Sequence, residues 1–350
     1  MREKKESSDI LKKENKMGLQ QKRKEEVIKI MKKQGYRFVG NHAAVKICLW
    51  TKKSLRNEGV CYKEKFYGIK SHLCCQMTPW LGCDNKCLHC WRATDLDFNK
   101  LVNKNKIKSP KEIVDESIKA QRELLIGFNI DKKSKKKQMS KADIKKYKEA
   151  QEPTQFAISL SGEPTLYKDI GGLVKELRKR KKTSFIVTNG LHPEKLEELM
   201  KKNLLPTQLY ISVNTPNKKL YIPFHRSSKK DAWERLNKSL ELMSKMQGKT
   251  RTVFRMNLIL NLNMKNPEEY AALIKKANPM FIELKGYMSV GFARERLGYD
   301  RMPYHKDIVN FANELLKYLP EYKFLDEKED SRVVLLGKNK EDMKIREDQI

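Results

Sequence analysis

Three closely spaced cysteines are the residues of this chain best suited to chemistry. They lie in the stretch CDNKCLHC, residues 83–90, where Cys83, Cys87 and Cys90 have the spacing CxxxCxxC. A structural zinc ion or a closed four-iron cluster normally takes four protein ligands, whereas a site with three leaves a position open for chemistry. The spacing therefore predicts a metal centre with an open position. A zinc knuckle with a Cys-Cys-His-Cys ligand set is the alternative.

The other cysteines precede this motif, and all seven lie between Cys48 and Cys90. Cys48, Cys61 and Cys74 are separated by twelve residues each time, and Cys75 follows directly. In a reducing compartment, clustered thiols bind metal or do redox chemistry more often than they form disulfides. Buried apolar thiols are the alternative for these residues. The even spacing has no stereochemical meaning in itself, because loops this long can fold in many ways.

Alternating strands and helices are expected to position these cysteines. From residue 74 onward, six apolar strand-like runs alternate with helical patterns, which indicates parallel β/α units that close partly or fully into a barrel. The active face of such a barrel lies at the C-terminal strand ends, and CDNKCLHC follows the first strand. The predicted strands are 76–79, 155–160, 184–188, 208–213, 252–260 and 281–284, and the predicted helices are 110–128, 168–181, 193–202, 229–246 and 267–277.

The chain divides into four predicted parts. Residues 1–24 form a basic flexible tail, and residues 25–75 hold an amphipathic helix and an irregular cysteine module folded around metal. The barrel covers 76–300 with a basic insertion at 131–149, and 301–350 adds a helix and a hairpin. No apolar run approaches the ~20 residues of a membrane span, and the N-terminus lacks the apolar region of a signal peptide. We therefore expect a cytoplasmic protein without a membrane partner.

The charge of the chain is strongly basic. Lys and Arg number 75 against 44 Asp and Glu, which gives a net charge of +31. A charged surface adapted to heat or salt is the plain explanation. An excess this large favours a polyanionic partner, because every phosphate neutralised releases a counterion. Nucleic acid is the expected partner, with the tail, the 131–149 insertion and RKRKK at 178–182 as candidate phosphate contacts.

The cysteine motif and the turn after the second strand together resemble radical S-adenosylmethionine enzymes. SLSGEPTL, residues 159–166, takes the place of the Gly-Gly-Glu-Pro-like turn of that family, while His89 replaces its usual aromatic residue. The resemblance implies a [4Fe–4S] cluster on the three cysteines of the motif, with its open iron bound by the amino and carboxylate groups of S-adenosylmethionine. Ordinary turns are the alternative for the cosubstrate-binding residues that it implies. These are Ser161, Gly162, Glu163, Thr188, Asn189, Ser212 and Asn214.

A closer resemblance, to the tRNA 4-demethylwyosine synthases, spans residues 38–318. It is carried by C-x12-C-x12-C ahead of the motif, by CWR after it, and by KKDAWERLNKSLELM and RTVFRMNLILNLNM further on. It implies a second [4Fe–4S] cluster on Cys48, Cys61 and Cys74, also with an open iron.

The reaction of that family implies the substrates. N1-methylguanosine at position 37 of tRNA-Phe becomes tricyclic 4-demethylwyosine with two carbons from pyruvate. The first cluster would cleave S-adenosylmethionine to a radical that takes a hydrogen from the N1-methyl group, and the second would chelate pyruvate. Lys63, two residues after Cys61, is the implied catalytic lysine, and a surface lysine is its ordinary explanation.

The implied partners are therefore the anticodon loop of tRNA-Phe, pyruvate and a separate electron-donor protein, and we expect a monomer. Two alternatives stay open. One is a radical enzyme with an auxiliary cluster that acts on a peptide or protein, although cluster cysteines usually follow the motif in such enzymes. The other is a non-catalytic zinc-binding RNA module, which leaves SLSGEPTL and the β/α alternation unexplained.

Overall fold

Ten strands form one sheet in this computed structural model. The structure describes residues 25–94, 96–128 and 142–350, together with Gly18 and Lys22. Strands β3 to β8 are parallel and lie side by side in chain order, while β1–β2 and β10–β9 extend the two edges antiparallel. The strands are β1 Arg37–Val39, β2 Ala43–Val45, β3 Cys74–Thr78, β4 Gln155–Ile158, β5 Thr183–Thr188, β6 Gln208–Ser212, β7 Arg251–Leu258, β8 Phe281–Gly286, β9 Lys323–Lys328 and β10 Val333–Gly337.

The predicted parallel β/α arrangement is confirmed, and its sheet is open rather than fully closed. Within the described ranges no pairing joins β3 to β8, so the sheet does not close into a barrel. The helices are α1 at 25–33, α2 Leu49–Leu55, α3 Tyr62–Tyr67, α4 Phe98–Leu101, α5 Pro110–Leu125, α6 Ile144–Glu149, α7 Ile170–Lys179, α8 Pro193–Lys201, α9 Lys218–His225, α10 Ala232–Ser244, α11 Pro267–Ala277, α12 Ala293–Leu297 and α13 His305–Leu316.

Alternation along the strands separates two layers of side chains. Successive strand residues point to opposite faces, so Phe254 and Met256 of β7 pack in the large core shared with the helices. Val253, the residue before Phe254, packs instead with Phe185, Tyr210 and residues of α3 in a second core. Helix α3 therefore covers the face of the sheet that carries this second core, which we call the inner face, near the N-terminal ends of the strands. The C-terminal ends of the strands stay available for a site.

The segment expected to be irregular contains short regular elements. Strands β1 and β2 form a hairpin that pairs with β3, and α2 and α3 follow it. Strands of three residues and helices of six or seven are too short to show a clear period in the sequence. The predicted tail 1–24 lies outside the described residues except for Gly18 and Lys22, as does the insertion up to residue 141; α6 follows from Ile144.

RKRKK, residues 178–182, lies at the end of the sheet opposite to the cysteine loop. The segment links α7 to β5 and so lies at the N-terminal strand ends, away from the end where that loop begins. Two of its side chains are engaged internally, because Arg178 donates to the carbonyls of Asn203 and Leu205 and Lys182 donates to that of Pro153. A contact between this segment and phosphates stays a prediction. No helix in the described ranges is long and apolar enough to cross a membrane.

Candidate active site

The loop of Cys83, Cys87 and Cys90 follows β3 and is held from outside by arginines. Arg226 donates to the carbonyl of Lys86 through Nε at 2.9 Å and through a second nitrogen at 2.7 Å. Two further arginines donate to other loop carbonyls, and residues 224 and 225 of α9 accept backbone bonds from the loop. Arg92 donates to the carbonyl of Asn85, and Arg296 donates to the carbonyls of Leu88 and Cys90. The backbone N–H groups of Lys86 and Leu88 donate to the carbonyls of His225 and Phe224.

Polar groups from distant elements contact the thiols of this loop. The Nδ1 atom of His225 lies 3.1 Å from Sγ of Cys87, and the amide of Asn189 donates to Sγ of Cys83 at 3.6 Å. Burial raises the pKa of the Cys83 thiol to about 11. Burial also raises the pKa of Cys87, and the neighbouring charges of Cys83 and Cys90 raise it further, so these three thiols lie close together.

The second group of cysteines is assembled from separate elements. Cys48 and Cys61 are the N-cap residues of α2 and α3, and their sulfur atoms accept from the backbone N–H of Thr51 and Lys63 at 3.4 Å each. Cys74 is the first residue of β3. Burial raises the pKa of Cys74, and the charges of Cys48 and Cys61 raise it further. The three thiols are therefore close enough to interact electrostatically.

One serine joins the elements of this second group. The hydroxyl of Ser71 accepts from the backbone N–H of Cys61 at 2.8 Å and donates to the carboxylate of Glu64. Its carbonyl accepts from the hydroxyl of Thr51 at 3.0 Å, so Ser71 ties α2 and α3 together. Cys75, by contrast, points to the other face of β3 and is fully buried in the large core.

Both groups suit an iron–sulfur cluster by the chemistry of their donors. All seven cysteines are free thiols. Within the described residues no set of three His, Cys, Asp or Glu side chains is placed to hold a single metal ion. A four-iron cluster asks for a different arrangement, because each thiolate binds its own iron and the ligands surround the cluster. Each cysteine group provides three thiols for such a cluster. The first group is also surrounded by Arg92, Arg226 and Arg296.

The turn of Ser161, Gly162 and Glu163 packs directly against the cysteine loop. Gly162 has a φ of +70°, and a Cβ there would lie 2.0 Å from the carbonyl oxygen of Trp80, so glycine is required. Glu163 is buried, and its backbone N–H donates to the carbonyl of Gly82 at 2.7 Å. The hydroxyl of Thr78 donates to the carbonyl of Ser161 at 2.6 Å. The predicted cosubstrate turn therefore lies beside the predicted cluster.

Glu163 also organises the end of β5. Its Oε1 accepts from the hydroxyl of Thr188 at 2.7 Å, and Oε2 accepts from the backbone N–H of Asn189 at 2.8 Å. Oε1 accepts in addition from the backbone and hydroxyl of Thr165. Since Oε2 has a single donor in the described residues, one of its lone pairs is available to the ammonium of a ligand. Thr188 and Asn189 are thus brought together with the turn, and their contact with a cosubstrate stays a prediction.

The two residues predicted at the end of β6 differ in availability. Ser212 is half-buried and its hydroxyl has no partner among the described residues. Asn214 is buried, and its Oδ1 accepts from the backbone N–H of Asn257 at 2.9 Å while its carbonyl accepts from Asn263. Asn214 thus fastens the end of β6 to β7, whereas the side chain of Ser212 is available to a ligand.

Lys63 is turned toward the inner face of the sheet rather than toward the surface. Its Nζ lies 4.7 Å from the ring centroid of Tyr210 and 5.0 Å from that of Phe185. Its Nζ makes no hydrogen bond or salt bridge with the part of the chain that the structure describes. Burial lowers the pKa of its ammonium group, although the carboxylate of Glu283 opposes this shift. Lys63 is therefore an unpaired amine beside the second cysteine group.

Several residues of the site have no signal in the sequence. Arg255 of β7 and Glu283 of β8 are partners in the register, with Nε of Arg255 3.8 Å from Oε2 of Glu283. Glu283 is fully buried and accepts from the hydroxyls of Tyr62 and Tyr67 at 3.2 and 2.6 Å. His225 is a third, since it comes from α9, far along the chain from Cys87. Only the inward positions that the alternation of β7 and β8 predicts could have suggested the first two.

Comparison with known protein families agrees with this arrangement. A model described as the Radical SAM superfamily matches residues 77–274, and one described as Wyosine base formation matches 276–338. The fold, the cysteine loop and the first of these matches define an enzyme of the radical SAM type, a class that implies S-adenosylmethionine and a [4Fe–4S] cluster.

The similar proteins specify the family. The S-adenosyl-L-methionine-dependent tRNA 4-demethylwyosine synthase of Pyrococcus abyssi is 50% identical over 89% of this chain and 88% of its own length. The synthase of Methanocaldococcus jannaschii is 37% identical over 89% of this chain and 96% of its own. The chain belongs to the tRNA 4-demethylwyosine synthase family.

Solved structures give the same result. A structure of TYW1 with a lysine-pyruvate adduct bound superposes with a TM-score of 0.78, at 35% identity over 92% of this chain and 98% of that one. The structure of archaeal TYW1 has a TM-score of 0.72, at 33% identity and the same coverage. The open β/α sheet is thus common to all three proteins.

Proposed function

We propose that this enzyme forms 4-demethylwyosine from N1-methylguanosine at position 37 of tRNA-Phe and pyruvate, with two [4Fe–4S] clusters. Its main support is the placement of Lys63 on the inner face of the sheet beside a second group of three thiols, separate from the group on the cysteine loop. The clusters would supply an electron for cleaving S-adenosylmethionine and an open iron that acts as a Lewis acid beside pyruvate. That electron comes from outside the substrates, so the proposal includes a separate electron-donor protein.

Residues near the cysteine loop would bind the cosubstrate. Oε2 of Glu163 has room for the ammonium of its methionine part, and the hydroxyl of Ser212 is available to a polar group. The positive charges of Arg92, Arg226 and Arg296 would stabilise anionic thiolates on the loop. Asn189 contacts both Glu163 and Cys83. It would therefore couple the orientation of the cosubstrate to that of the loop.

Lys63 would bind pyruvate covalently. Its amine nitrogen attacks the carbonyl carbon of pyruvate, the carbonyl oxygen leaves as water, and an imine results. The similar TYW1 structure carries a lysine-pyruvate adduct, which is a precedent for this step. The rings of Phe185 and Tyr210 limit the movement of the Lys63 side chain and shield it from water. An imine is favoured in such a place, because water would otherwise hydrolyse it.

The charge and the thiols of the chain favour an RNA partner and a reducing compartment. A net charge of +31 favours the phosphates of an anticodon loop, and the target base must leave its stack to reach the site. Seven free thiols suit a reducing compartment, so we place the enzyme in the cytoplasm. We also expect it to act as a monomer.

The first test is product formation by the anaerobically reconstituted enzyme. The reaction contains tRNA-Phe with N1-methylguanosine at position 37, S-adenosylmethionine, dithionite and carbon-13-labelled pyruvate, and mass spectrometry follows the nucleosides. We expect a tricyclic product that carries two pyruvate carbons. Product without label would refute pyruvate as the carbon source.

A second test concerns the lysine. Lys63→Arg keeps a positive charge but cannot form an imine, so product should be lost while 5′-deoxyadenosine formation continues. Lys65→Arg is the matched control, because Lys65 lies on the same helix but pairs with Asp326 at the surface. Normal product formation by Lys63→Arg would exclude an imine at Lys63.

A further inference from the structure

Arg255 lies on the face of the sheet that Lys63 contacts. It faces inward from β7, since its strand neighbours Phe254 and Met256 belong to the core on the other face. In the register it stands between Ser212 of β6 and Glu283 of β8. Its Nε lies 3.8 Å from Oε2 of Glu283, and this carboxylate accepts from the hydroxyl of Tyr62, the neighbour of Lys63 on α3. Arg255 is thus close to the amine proposed to bind pyruvate.

The guanidinium of Arg255 has no hydrogen-bond acceptor of its own in the described chain. Its Nε is buried and unpartnered. The nearest carboxylate, on Glu283, is 3.8 Å away, which is beyond hydrogen-bond range, and it already accepts from Tyr62 and Tyr67. A buried donor without an acceptor is costly, and a charged one more so. The site therefore lacks an acceptor that a ligand could supply.

The charges around Arg255 point to an anionic ligand. Arg255 and Lys285 both interact electrostatically with the carboxylate of Glu283, which already accepts from Tyr62 and Tyr67. Nε of Arg255 is therefore a buried charged donor without an acceptor in the described chain, which is costly. A small carboxylate would supply that acceptor. The planar fork of a guanidinium matches a carboxylate through two parallel hydrogen bonds.

We propose that Arg255 binds the carboxylate of the 2-oxo acid and thereby holds its carbonyl carbon against Nζ of Lys63. This inference rests on the proposed imine at Lys63. The methionine carboxylate of S-adenosylmethionine has the same chemistry. We assign the 2-oxo acid instead, because Glu283, whose Oε2 lies 3.8 Å from Nε of Arg255, accepts from Tyr62 and Tyr67 of α3, the helix that carries Lys63.

The experiment traps the imine. Reconstituted full-length enzyme is incubated with carbon-14 pyruvate and sodium cyanoborohydride, and label on the Lys63 peptide is measured against pyruvate concentration. Loss of a buried charged contact to a ligand weakens binding by roughly 100-fold, so Arg255→Gln should raise the half-saturating pyruvate concentration about that much. Arg255→Lys, which keeps the charge without the fork, should raise it less.

Three controls separate the possible causes. The methyl ester of pyruvate has the same carbonyl group without the charge, so its trapping should not change in Arg255→Gln. The concentration of S-adenosylmethionine that half-saturates 5′-deoxyadenosine formation should not change either. Arg251→Gln is the matched variant, because Arg251 also faces inward on β7 but its guanidinium already donates to Gln208 and to the carbonyls of Asp342 and Met343. It should alter neither concentration.

Each other outcome is decisive. An unchanged pyruvate concentration in Arg255→Gln, or an equal loss for pyruvate and its ester, would overturn the inference. A shift in the S-adenosylmethionine concentration alone would assign the guanidinium to that carboxylate instead. If Arg255→Gln fails to fold, the ratio of pyruvate trapping to ester trapping is measured in Arg255→Lys. A ratio below that of the wild type would support the inference, and an unchanged ratio would overturn it. No label in the wild type, with cleavage intact, would overturn the imine of the proposed function and this inference with it.

Discussion

In the first cysteine group the three thiols come from one loop of eight residues, 83–90, whereas in the second they come from two helix caps and a strand. The first is held by arginines that reach its carbonyls from three directions. The second depends on Ser71, which joins the helices that carry Cys48 and Cys61. A site on one loop is visible in the sequence as a motif. A site assembled from separate elements exists only once the fold has formed.

The largest expected effect separates the two groups by their iron. The wild type should bind about eight irons and eight sulfides, and each triple cysteine-to-alanine variant about four. Loss of Cys83, Cys87 and Cys90 should abolish 5′-deoxyadenosine formation, while loss of Cys48, Cys61 and Cys74 should spare it and stop the tricyclic product. Iron and sulfide analysis after anaerobic reconstitution measures the first effect, and chromatography of the reaction the second.

Other results would contradict the assignment of one cluster to each cysteine group. A wild-type count near four would leave a single-cluster enzyme, and zinc in place of iron would remove the radical mechanism. Tricycle formation by the Cys48, Cys61 and Cys74 variant would make the two-cluster mechanism wrong.

Gly162→Ala should disturb the first group alone. The new Cβ would meet the backbone of Trp80 at 2.0 Å in a left-handed conformation, so we expect the free energy of unfolding to fall by roughly 2–4 kcal/mol. The displaced segment leads into the cysteine loop, so S-adenosylmethionine cleavage should fall as well. Urea unfolding of the apo protein and iron counting check both effects.

Gly127→Ala is the matched control for this variant, because a Cβ there meets nothing within 4 Å. Equal stability of the two alanine variants would mean that the contact between Gly162 and Trp80 does not constrain the loop.

The sequence predicts the central sheet well because its strands are long enough to show an apolar run. Strands β4 to β8 lie within two residues of their predicted bounds, and α11 matches its predicted range 267–277. Strand β3 begins at Cys74 instead of residue 76, which places a predicted cluster ligand on the sheet itself. The short elements before it gave no periodic signal.

The site was predictable to the extent that it is local. The turn of Gly162 and Glu163 and the cysteine loop are short continuous motifs. Arg255 and His225 each stand alone in the sequence, and their importance comes from neighbours more than a hundred residues away, such as Lys63 and Cys87. No spacing rule connects such residues, since the sheet register and the packing of α9 bring them together.

Ser71→Ala should weaken only the second group. The change removes the acceptor of the Cys61 N–H and a donor to Glu64, and leaving buried groups unpaired costs about 1–3 kcal/mol. We expect the iron count to fall from about eight toward about four on mild chelation, with S-adenosylmethionine cleavage retained. Iron released to a chelator over time measures the effect.

Ser184→Ala is the control, because Ser184, near the N-terminal end of β5, is also buried and its hydroxyl accepts from the backbone N–H of Thr207. Loss of iron from both groups in Ser71→Ala, or from neither, would show that Ser71 does not hold the second group together.

The smallest effect is expected at Cys75, one residue from a predicted ligand. Because successive strand residues face opposite sides of the sheet, Cys74 points to the cluster side and Cys75 to the core of Phe156 and Val39. Cys75→Ala should therefore keep the full iron count and lose only about 1 kcal/mol of packing. Cys74→Ala should instead lose the iron of the second group. If Cys75→Ala lost that iron too, the second group would not be defined by the face of β3, and the pairing of Cys74 with two helix caps would have to be abandoned.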